Sequence, residues 1–293
     1  MSIISPPTDP GPDRTASGQA PSKPTFHDLT TPRALGQGAF TIDVPDAWQQ
    51  GRGAFGGYVL AVLVRALRAS ENDADRSLRS LTAVLTGPVL PGPAQIAVQE
   101  LRQGNAVSTR SVELRQPGEG AASEILAHAV AVFGRSRVRD RERVELTPPE
   151  RKPWRETPVI AIGPPMAPVF TQHCEFRPIC GLPFSGQSGE VSVQGWVRFR
   201  SLGPRWEEAD LIAAVDTYWP VMLAREHQPR PMATIAFTAQ ILAHPAELAL
   251  DSPLYYRGLT LAAHDGYFVE QRELWTEAGQ LVVLNQQTMA VVK

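Results

Sequence analysis

The segment from Phe55 to Ala69 most narrows what this chain can fold into. It is apolar along most of its length, with polar breaks only at Arg65 and Arg68. Its length and its Ala and Leu content predict a helix, and the scarcity of polar residues predicts that this helix is buried on most sides. Such a helix needs a surface wrapped around it, and a curled antiparallel sheet is one solution.

The residues that follow the helix predict such a sheet. Polar and apolar residues alternate over Ser108–Arg115, as expected of a half-buried strand, and Gln103-Gly104-Asn105 has the composition of a hairpin turn. The strand candidates after the helix are Ser80–Thr86, Ala94–Arg102, Ala106–Arg115 and Ala121–Phe133.

The second half of the chain repeats this order. A helix is predicted over Glu207–Leu223, with acidic residues in its first turn, where they suit the helix dipole. Strands are predicted at Val169–Arg177, Val193–Arg200, Ala233–Leu242, Leu254–Ala263, Tyr267–Thr276 and Gln280–Val292. The sequence therefore predicts an α+β fold in which each half is one long helix against an antiparallel sheet, and the repetition suggests duplication.

Proline marks the domain boundaries. Of the 27 prolines, seven lie in residues 1–35 and seven more in residues 148–168. The first segment, with Gly, Ser, Thr and Asp between its prolines, cannot bury enough apolar surface to offset its ordering entropy. The second has the composition of a linker. We therefore expect a mostly disordered tail over residues 1–35, an N-terminal domain over 36–140, a linker over 141–168 and a C-terminal domain over 169–293.

Charge and composition exclude several classes of partner. The 28 Lys and Arg nearly balance the 30 Asp and Glu, so no strong basic field favours nucleic acid or an anionic membrane. The longest apolar run, near Tyr58–Val64, is far shorter than the ~20 residues of a transmembrane helix. The first residues lack the pattern of a secretory signal, which predicts a cytoplasmic protein. Cys174 and Cys180 stand in no metal-site spacing, and we expect no metal.

Several short blocks resemble one enzyme family. Ala54-Phe-Gly-Gly-Tyr58 opens the first helix, and the block Leu90-Pro-Gly92 precedes Leu101-Arg-Gln-Gly-Asn-Ala-Val-Ser-Thr-Arg110. The blocks of the second half are Gly195–Arg198, Ala214–Asp216, Met232–Ile235 and Gly279–Gln287. In order and spacing these blocks are similar to those of TesB-like acyl-CoA thioesterases, the acyl-CoA thioesterase II group.

The resemblance implies a double hotdog fold of two tandem repeats, each a long helix wrapped by an antiparallel sheet. It implies hydrolysis of an acyl-CoA to a free acid and coenzyme A, without a metal or an organic cofactor. By position, the family's catalytic Asp, Thr and Gln match Asp216, Thr234 and Gln287. Sheets of this fold expose edges and helix faces that pair, so we expect a homo-oligomer.

The chemistry of thioester hydrolysis suits these three residues. A carboxylate such as Asp216 can take a proton from water, whereas an exposed Asp on an amphipathic helix is the ordinary alternative. Gln287 and Thr234 can hold water without titrating. Because neighbouring strand residues face opposite sides, only one of Gln286 and Gln287 can reach the site. Thr238 remains a rival to Thr234, since strict alternation places both on one face.

The start of the first helix is the candidate oxyanion and substrate-binding site, formed by Gly56, Gly57 and Tyr58. Free N–H groups at a helix start carry partial positive charge, and glycines let a substrate approach the backbone closely. The paired glycines can equally serve close packing of the helix.

The sequence departs from the family at several positions. Thr82 and Leu85 stand where members often carry histidine, and the residues after Thr234 lack the family's Asp-His pattern. A catalytically silent acyl-CoA-binding protein is therefore one alternative. A hydratase or dehydratase acting on enoyl-CoA or hydroxyacyl-CoA is the other, although no Asp here has the His five residues later that such enzymes use.

Overall fold

The computed structural model describes residues 23–117, 123–137 and 146–292. Its three α-helices in these ranges are α1 (Phe26–Thr30), α2 (Gly56–Ala69) and α3 (Glu208–Ala214). Short 3-10 helices lie at Asp46–Trp48, Trp154–Glu156, Val169–His173, Val221–Ala224 and Pro245–Glu247. None of the helices in the described ranges has the length and apolar character needed to cross a membrane.

The strands occupy most of both halves. Those of the first half are β1 (Arg33–Gly36), β2 (Ala39–Val44), β3 (Gln49–Gln50), β4 (Gly53–Ala54), β5 (Ser77–Leu85), β6 (Gly92–Gln103), β7 (Val107–Pro117) and β8 (Ser123–Gly134). Those of the second half are β9 (Cys174–Cys180), β10 (Ser192–Phe199), β11 (Met232–Ile241), β12 (Leu254–His264), β13 (Tyr267–Trp275) and β14 (Leu281–Val291).

Twelve of the described strands form one continuous antiparallel sheet, and β3 and β4 pair separately. The order across the sheet is β1-β2-β6-β7-β8-β5-β11-β14-β13-β12-β10-β9. The two halves meet where β5 pairs antiparallel with β11, with Thr82 opposite Thr238.

The predicted first helix is confirmed as α2, and its burial explains its composition. Every residue from Gly57 to Leu67 is buried, and α2 contacts α1, α3 and strands β6, β7 and β8. A helix surrounded on all sides has no solvent face on which polar residues would be favoured. Its buried Arg65 pairs with Glu207 and Asp210 at the start of α3, and Arg65 Nε also donates to Thr30 at 2.9 Å.

The second helix is much shorter than predicted. The sequence pattern predicts Glu207–Leu223, but α3 ends at Ala214. There the Thr217 hydroxyl donates to the Ala214 carbonyl at 2.8 Å, and the Asp216 N–H bonds three residues back to Ala213. These bonds tighten the last turn, and Pro220 cannot continue a helix. Asp216 therefore lies just after the helix rather than in its middle.

The predicted disordered tail extends too far toward the C-terminus. Residues 1–22 lie outside the described residues, but α1 and most of β1 fall within the predicted tail. Thr25 and Asp28 form a capping box at the start of α1, and the Phe26 ring stacks on Phe199 at 4.8 Å. Capping and aromatic burial together offset the ordering cost that composition alone predicts.

The predicted linker packs on the second half where it is described. Residues 138–145 lie outside the described residues. Trp154 is buried, with the Arg177 guanidinium 4.0 Å above its ring, and Trp196 Nε1 donates to the Lys152 carbonyl at 2.9 Å. Ile160 forms a bridge to Phe176 of β9. Burial of the aromatic side chain anchors a segment whose prolines predict a free linker.

Candidate active site

Asp216 lies at the junction of the two halves. Its side chain is 8% exposed. Oδ1 accepts hydrogen bonds from Gln287 Nε2 at 2.8 Å and from Arg272 Nη1 at 3.0 Å. Oδ2 faces the start of α2, where a Cβ on Gly56 would come within 2.8 Å of it. One carboxylate oxygen is thus fixed by two donors, and the other is turned toward the first half.

Gln287 and Thr234 continue this row of hydrogen bonds. The Thr234 hydroxyl donates to Gln287 Oε1 at 2.6 Å. Gln287 Nε2 donates to Asn285 Oδ1 at 3.1 Å as well as to Asp216. Because both protons of the amide are taken by oxygen acceptors, its orientation is fixed. The structure therefore joins Thr234, Gln287 and Asp216 in one row, with Gln287 in contact with both of the others.

Strand geometry separates each of these residues from its rival. Gln287 is fully buried, whereas Gln286 is exposed on the other face of β14. In the ladder, Thr234 lies opposite Met289 and Thr238 lies opposite Gln286, with a register shift between Thr234 and Ala236. This bulge reverses the alternation, so Thr238 faces away from Asp216. The expectation that Thr234 and Thr238 share a face is wrong for this reason.

The two glycines of α2 serve different contacts. Gly56 leaves room beside the Asp216 carboxylate, since a Cβ there would meet Oδ2. A Cβ on Gly57 would lie 2.8 Å from the Ala213 carbonyl of α3 and would also meet the Phe55 ring. Gly57 thus allows α2 and α3 to pack closely, and Gly56 allows the Asp216 carboxylate to lie close to the start of α2. α2 has no side-chain cap among the described residues.

Tyr58 does not direct its side chain into the site. It is 1% exposed, and its hydroxyl donates to the Leu29 carbonyl at 2.9 Å. The phenol therefore fastens the segment around α1 to α2. Within the site, Tyr58 can contribute only its backbone N–H at the helix start.

Sequence reasoning missed a buried pair on β13. Arg272 and Glu270 are 1% and 0% exposed, and Arg272 Nε and Nη2 donate to Glu270 Oε2 at 3.0 and 2.9 Å. Arg272 is also a partner of Asp216. By alternation, Phe268 and Leu274 lie on the same face of β13 as Glu270 and Arg272. These two apolar residues were the available signal that this face is buried.

Opposing effects set the ionisation of Asp216. Burial raises the pKa of Asp216 above its ordinary value, while Arg272, Gln287 and the backbone N–H of Gly57 act to lower this pKa. Burial also raises the pKa of Glu270, again opposed by Arg272. A carboxylate whose pKa is raised by burial is a better proton acceptor than an exposed one.

No histidine or metal cluster joins this site. None of the six histidines, all within the described ranges, hydrogen-bonds to Asp216. Leu85 borders it instead, since a Cβ on Gly56 would lie 3.5 Å from Leu85 Cδ1. Thr82 is exposed on the outer face of β5. In the described part of the chain, no three His, Cys, Asp or Glu side chains are grouped to hold a metal ion.

Solved structures share this architecture. A conserved protein of unknown function with hot dog fold from Alicyclobacillus acidocaldarius superposes with a TM-score of 0.81 at 24% identity, covering 92% of this chain and 98% of that one. A candidate thioesterase II from Thermobifida fusca YX gives 0.76 at 21% identity, with 92% and 97% covered. Acyl-CoA thioesterase II TesB2 from Mycobacterium marinum gives 0.71 at 16% identity, with 91% and 98% covered. At these identities the likeness establishes the hotdog fold alone.

Sequence-family models place the chain more narrowly. The model of the acyl-CoA thioesterase N-terminal domain matches residues 44–134, and that of the acyl-CoA thioesterase C-terminal domain matches residues 141–291. Curated proteins gave no match. Because the two domain models together span most of the sequence, in the order in which they are named, the chain belongs to the acyl-CoA thioesterase family.

Proposed function

We propose that this protein hydrolyses an acyl-CoA thioester to a free carboxylic acid and coenzyme A, with Asp216 as the general base. The observation that carries the proposal is the row of hydrogen bonds from Thr234 through Gln287 to Asp216, which ends at the start of α2. Family membership supports the same reaction.

Asp216 Oδ2 is the oxygen that takes the proton from water. Oδ1 already accepts from Arg272 and Gln287, whereas Oδ2 faces Gly56. Gln287 Oε1 and the Thr234 hydroxyl each keep a lone pair that can accept the second hydrogen of the water. A water held by acceptors in this way directs its own lone pair toward the thioester carbon.

The start of α2 stabilises the developing negative charge. As the water oxygen bonds to the carbonyl carbon, Asp216 takes one proton and the carbonyl oxygen becomes an oxyanion. The N–H groups of Gly56, Gly57 and Tyr58 lie in the uncapped first turn, where the helix dipole favours an anion. The Gly57 N–H also acts on the Asp216 carboxylate and is shared between the base and the oxyanion. Collapse of the intermediate breaks the C–S bond, and the proton on Asp216 passes to the departing thiolate of CoA.

The finer architecture that fits this function is a double hotdog of two tandem repeats. In the first half the sheet order is β2-β6-β7-β8-β5, with α2 between β2 and β5 in the chain. In the second half it is β10-β12-β13-β14-β11, with α3 between β10 and β11. Both halves therefore have, in the same order across the sheet, a strand that precedes the helix, a three-strand meander and the strand after the helix.

The test is release of free thiol from a panel of short, medium, long, aromatic and bulky cyclic acyl-CoAs. Wild type is compared with Asp216→Asn and with the control Asp265→Asn, whose side chain is 82% exposed. Loss of a general base costs roughly 10²–10⁴ in rate, so Asp216→Asn should lose at least a hundredfold and Asp265→Asn almost nothing.

Other outcomes decide against the proposal. Near-wild-type turnover in a folded Asp216→Asn variant would remove Asp216 as the base. Tight acyl-CoA binding without turnover by wild type would favour the silent binding protein, and hydration of an enoyl-CoA would favour the hydratase. The expected homo-oligomer stays a prediction, which light scattering on the purified protein would check.

A further inference from the structure

Arg272 lies in the interior between two carboxylates. Nη1 donates to Asp216 at 3.0 Å, while Nε and Nη2 donate to Glu270 Oε2 at 3.0 and 2.9 Å. Nη2 also approaches the Met289 sulfur at 3.6 Å. Arginine is rarely this buried without paired charges. The row Glu270–Arg272–Asp216 therefore places one guanidinium between two carboxyl groups.

Glu270 is also held from its other side. Its Oε1 accepts the Val221 N–H at 2.6 Å. Val221 begins the 3-10 helix that follows Asp216 in the chain, directly after Pro220. The pair on β13 thus contacts the segment that carries Asp216 at two points. Arg272 binds the Asp216 carboxylate, and Glu270 binds the backbone five residues later.

We propose that Arg272 is a positioning residue for Asp216, and that Glu270 moderates the positive charge that Arg272 presents to it. This inference rests on the proposed role of Asp216 as the base. An arginine alone would fix Asp216 Oδ1 but would also weaken the carboxylate as a proton acceptor. Because Glu270 shares the guanidinium, Asp216 receives an oriented N–H donor while retaining its basicity.

Few other titratable groups face Asp216 in the described part of the chain. β12 contributes Tyr256, whose buried hydroxyl has no hydrogen-bond partner among the described residues. Burial raises the pKa of Tyr256, so the phenol is neutral near neutral pH. β14 contributes the Gln287 amide and α2 the Gly57 backbone N–H, neither of which titrates. Thr234 of β11 reaches Asp216 only through Gln287. Arg272 and Glu270 therefore dominate the local charge.

The test compares Arg272→Gln, Glu270→Gln and the double variant. Two readouts are followed, the acid limb of the kcat/KM profile and the carbon-13 carboxyl signal of Asp216 during pH titration, assigned by its absence in Asp216→Asn. Removing the positive charge should move both readouts to higher pH, and removing the negative charge should move them to lower pH, each by about one pH unit. In the double variant the titration should return close to wild type.

Opposite shifts distinguish this role from a structural one. Folded single variants that leave the Asp216 titration unchanged, or that move it in the same direction, would overturn the inference. If Arg272→Gln fails to fold, Glu270→Gln decides alone. Titration of Asp216 at a lower pH supports the inference, and titration at an unchanged or higher pH refutes it. The carboxyl titration needs no substrate, so failure of the proposed hydrolysis would show separately, as wild type without turnover.

Discussion

Gln287 Nε2 donates to Asp216 Oδ1 at 2.8 Å, although the two residues are 71 positions apart in the chain. The contact joins the turn after α3 to the last strand of the sheet. Its counterpart Gln286 lies on the opposite face of β14 and is exposed. The two glutamines therefore offer a matched pair for measuring what the buried amide does.

Gln287→Leu should lower kcat by roughly ten- to a hundredfold, because a hydrogen bond to a charged group is worth about 1.5–3 kcal/mol. Gln286→Leu makes the same chemical change on the outer face and should stay within about twofold of wild type. Steady-state kinetics with the best acyl-CoA of the panel measure both. Equal losses in the two variants would contradict the assigned orientation.

Thr234→Val removes one hydroxyl with little change of shape. We expect up to roughly tenfold lower kcat, because a neutral hydrogen bond contributes about 0.5–1.5 kcal/mol. The matched control is Thr238→Val, whose side chain the bulge turns away from Asp216. A larger loss in Thr238→Val than in Thr234→Val would mean that Thr238, and not Thr234, holds the water.

Gly56→Ala and Gly57→Ala should fail in different ways. The new methyl at residue 56 displaces the Asp216 carboxylate. A misplacement of about 1 Å can cost roughly a hundredfold in rate. The methyl at residue 57 meets the Ala213 carbonyl, and overpacking of this kind costs roughly 1–3 kcal/mol of stability. Urea unfolding and kcat, measured on both, separate the two effects.

The pH profile should report the burial of Asp216. The base must be ionised to act, and burial raises its pKa above the ordinary 3.8. Activity should therefore fall as pH decreases through a value above 3.8, and be fully present at higher pH. The profile of kcat/KM measures this limb, which the residual activity of Asp216→Asn should lack. An inflection at or below 3.8 in wild type would argue that the carboxylate is not desolvated.

Arg65 and Arg205 test what the buried ion pairs contribute to stability. Both contact Glu207, but the Arg65 side chain is 6% exposed and that of Arg205 is 75% exposed. Arg65→Met leaves Asp210 buried without its partner and should cost about 3–5 kcal/mol, whereas Arg205→Met should cost less than about 1 kcal/mol. Urea unfolding of the two variants gives the comparison, and equal losses would mean that Asp210 is not held by Arg65.

The order of elements and part of the site follow from sequence patterns. The buried α2 can be predicted because a mostly apolar stretch of this length, broken only by two arginines, is typical of a buried helix. Alternation along β14 separates Gln287 from Gln286. The same rule fails on β11, because the bulge after Thr234 depends on pairing with β14, which one strand cannot reveal.

Other features were hidden for physical reasons. α3 ends at Ala214 because hydrogen bonds of the residues around Asp216 replace the next helical turn. The partners of Asp216 lie on β13 and β14, far away in the sequence. Arg272 and Glu270 resemble exposed strand residues until their mutual pairing and Asp216 are known. Phe26 lies in the predicted disordered tail and Trp154 in the predicted linker, yet each aromatic ring is buried by a surface distant in sequence.

The two helices contact each other at two junctions, and the two junctions are built differently. Asp216, just beyond α3, lies at the beginning of α2, and Arg65, well along α2, lies at the beginning of α3. One junction holds a carboxylate beside a glycine that leaves space. The other is closed by a guanidinium between two carboxylates. If the halves descend from one ancestral unit, only one junction has kept a candidate base. The other, formed by Arg65, Glu207 and Asp210, serves to hold the two helices together.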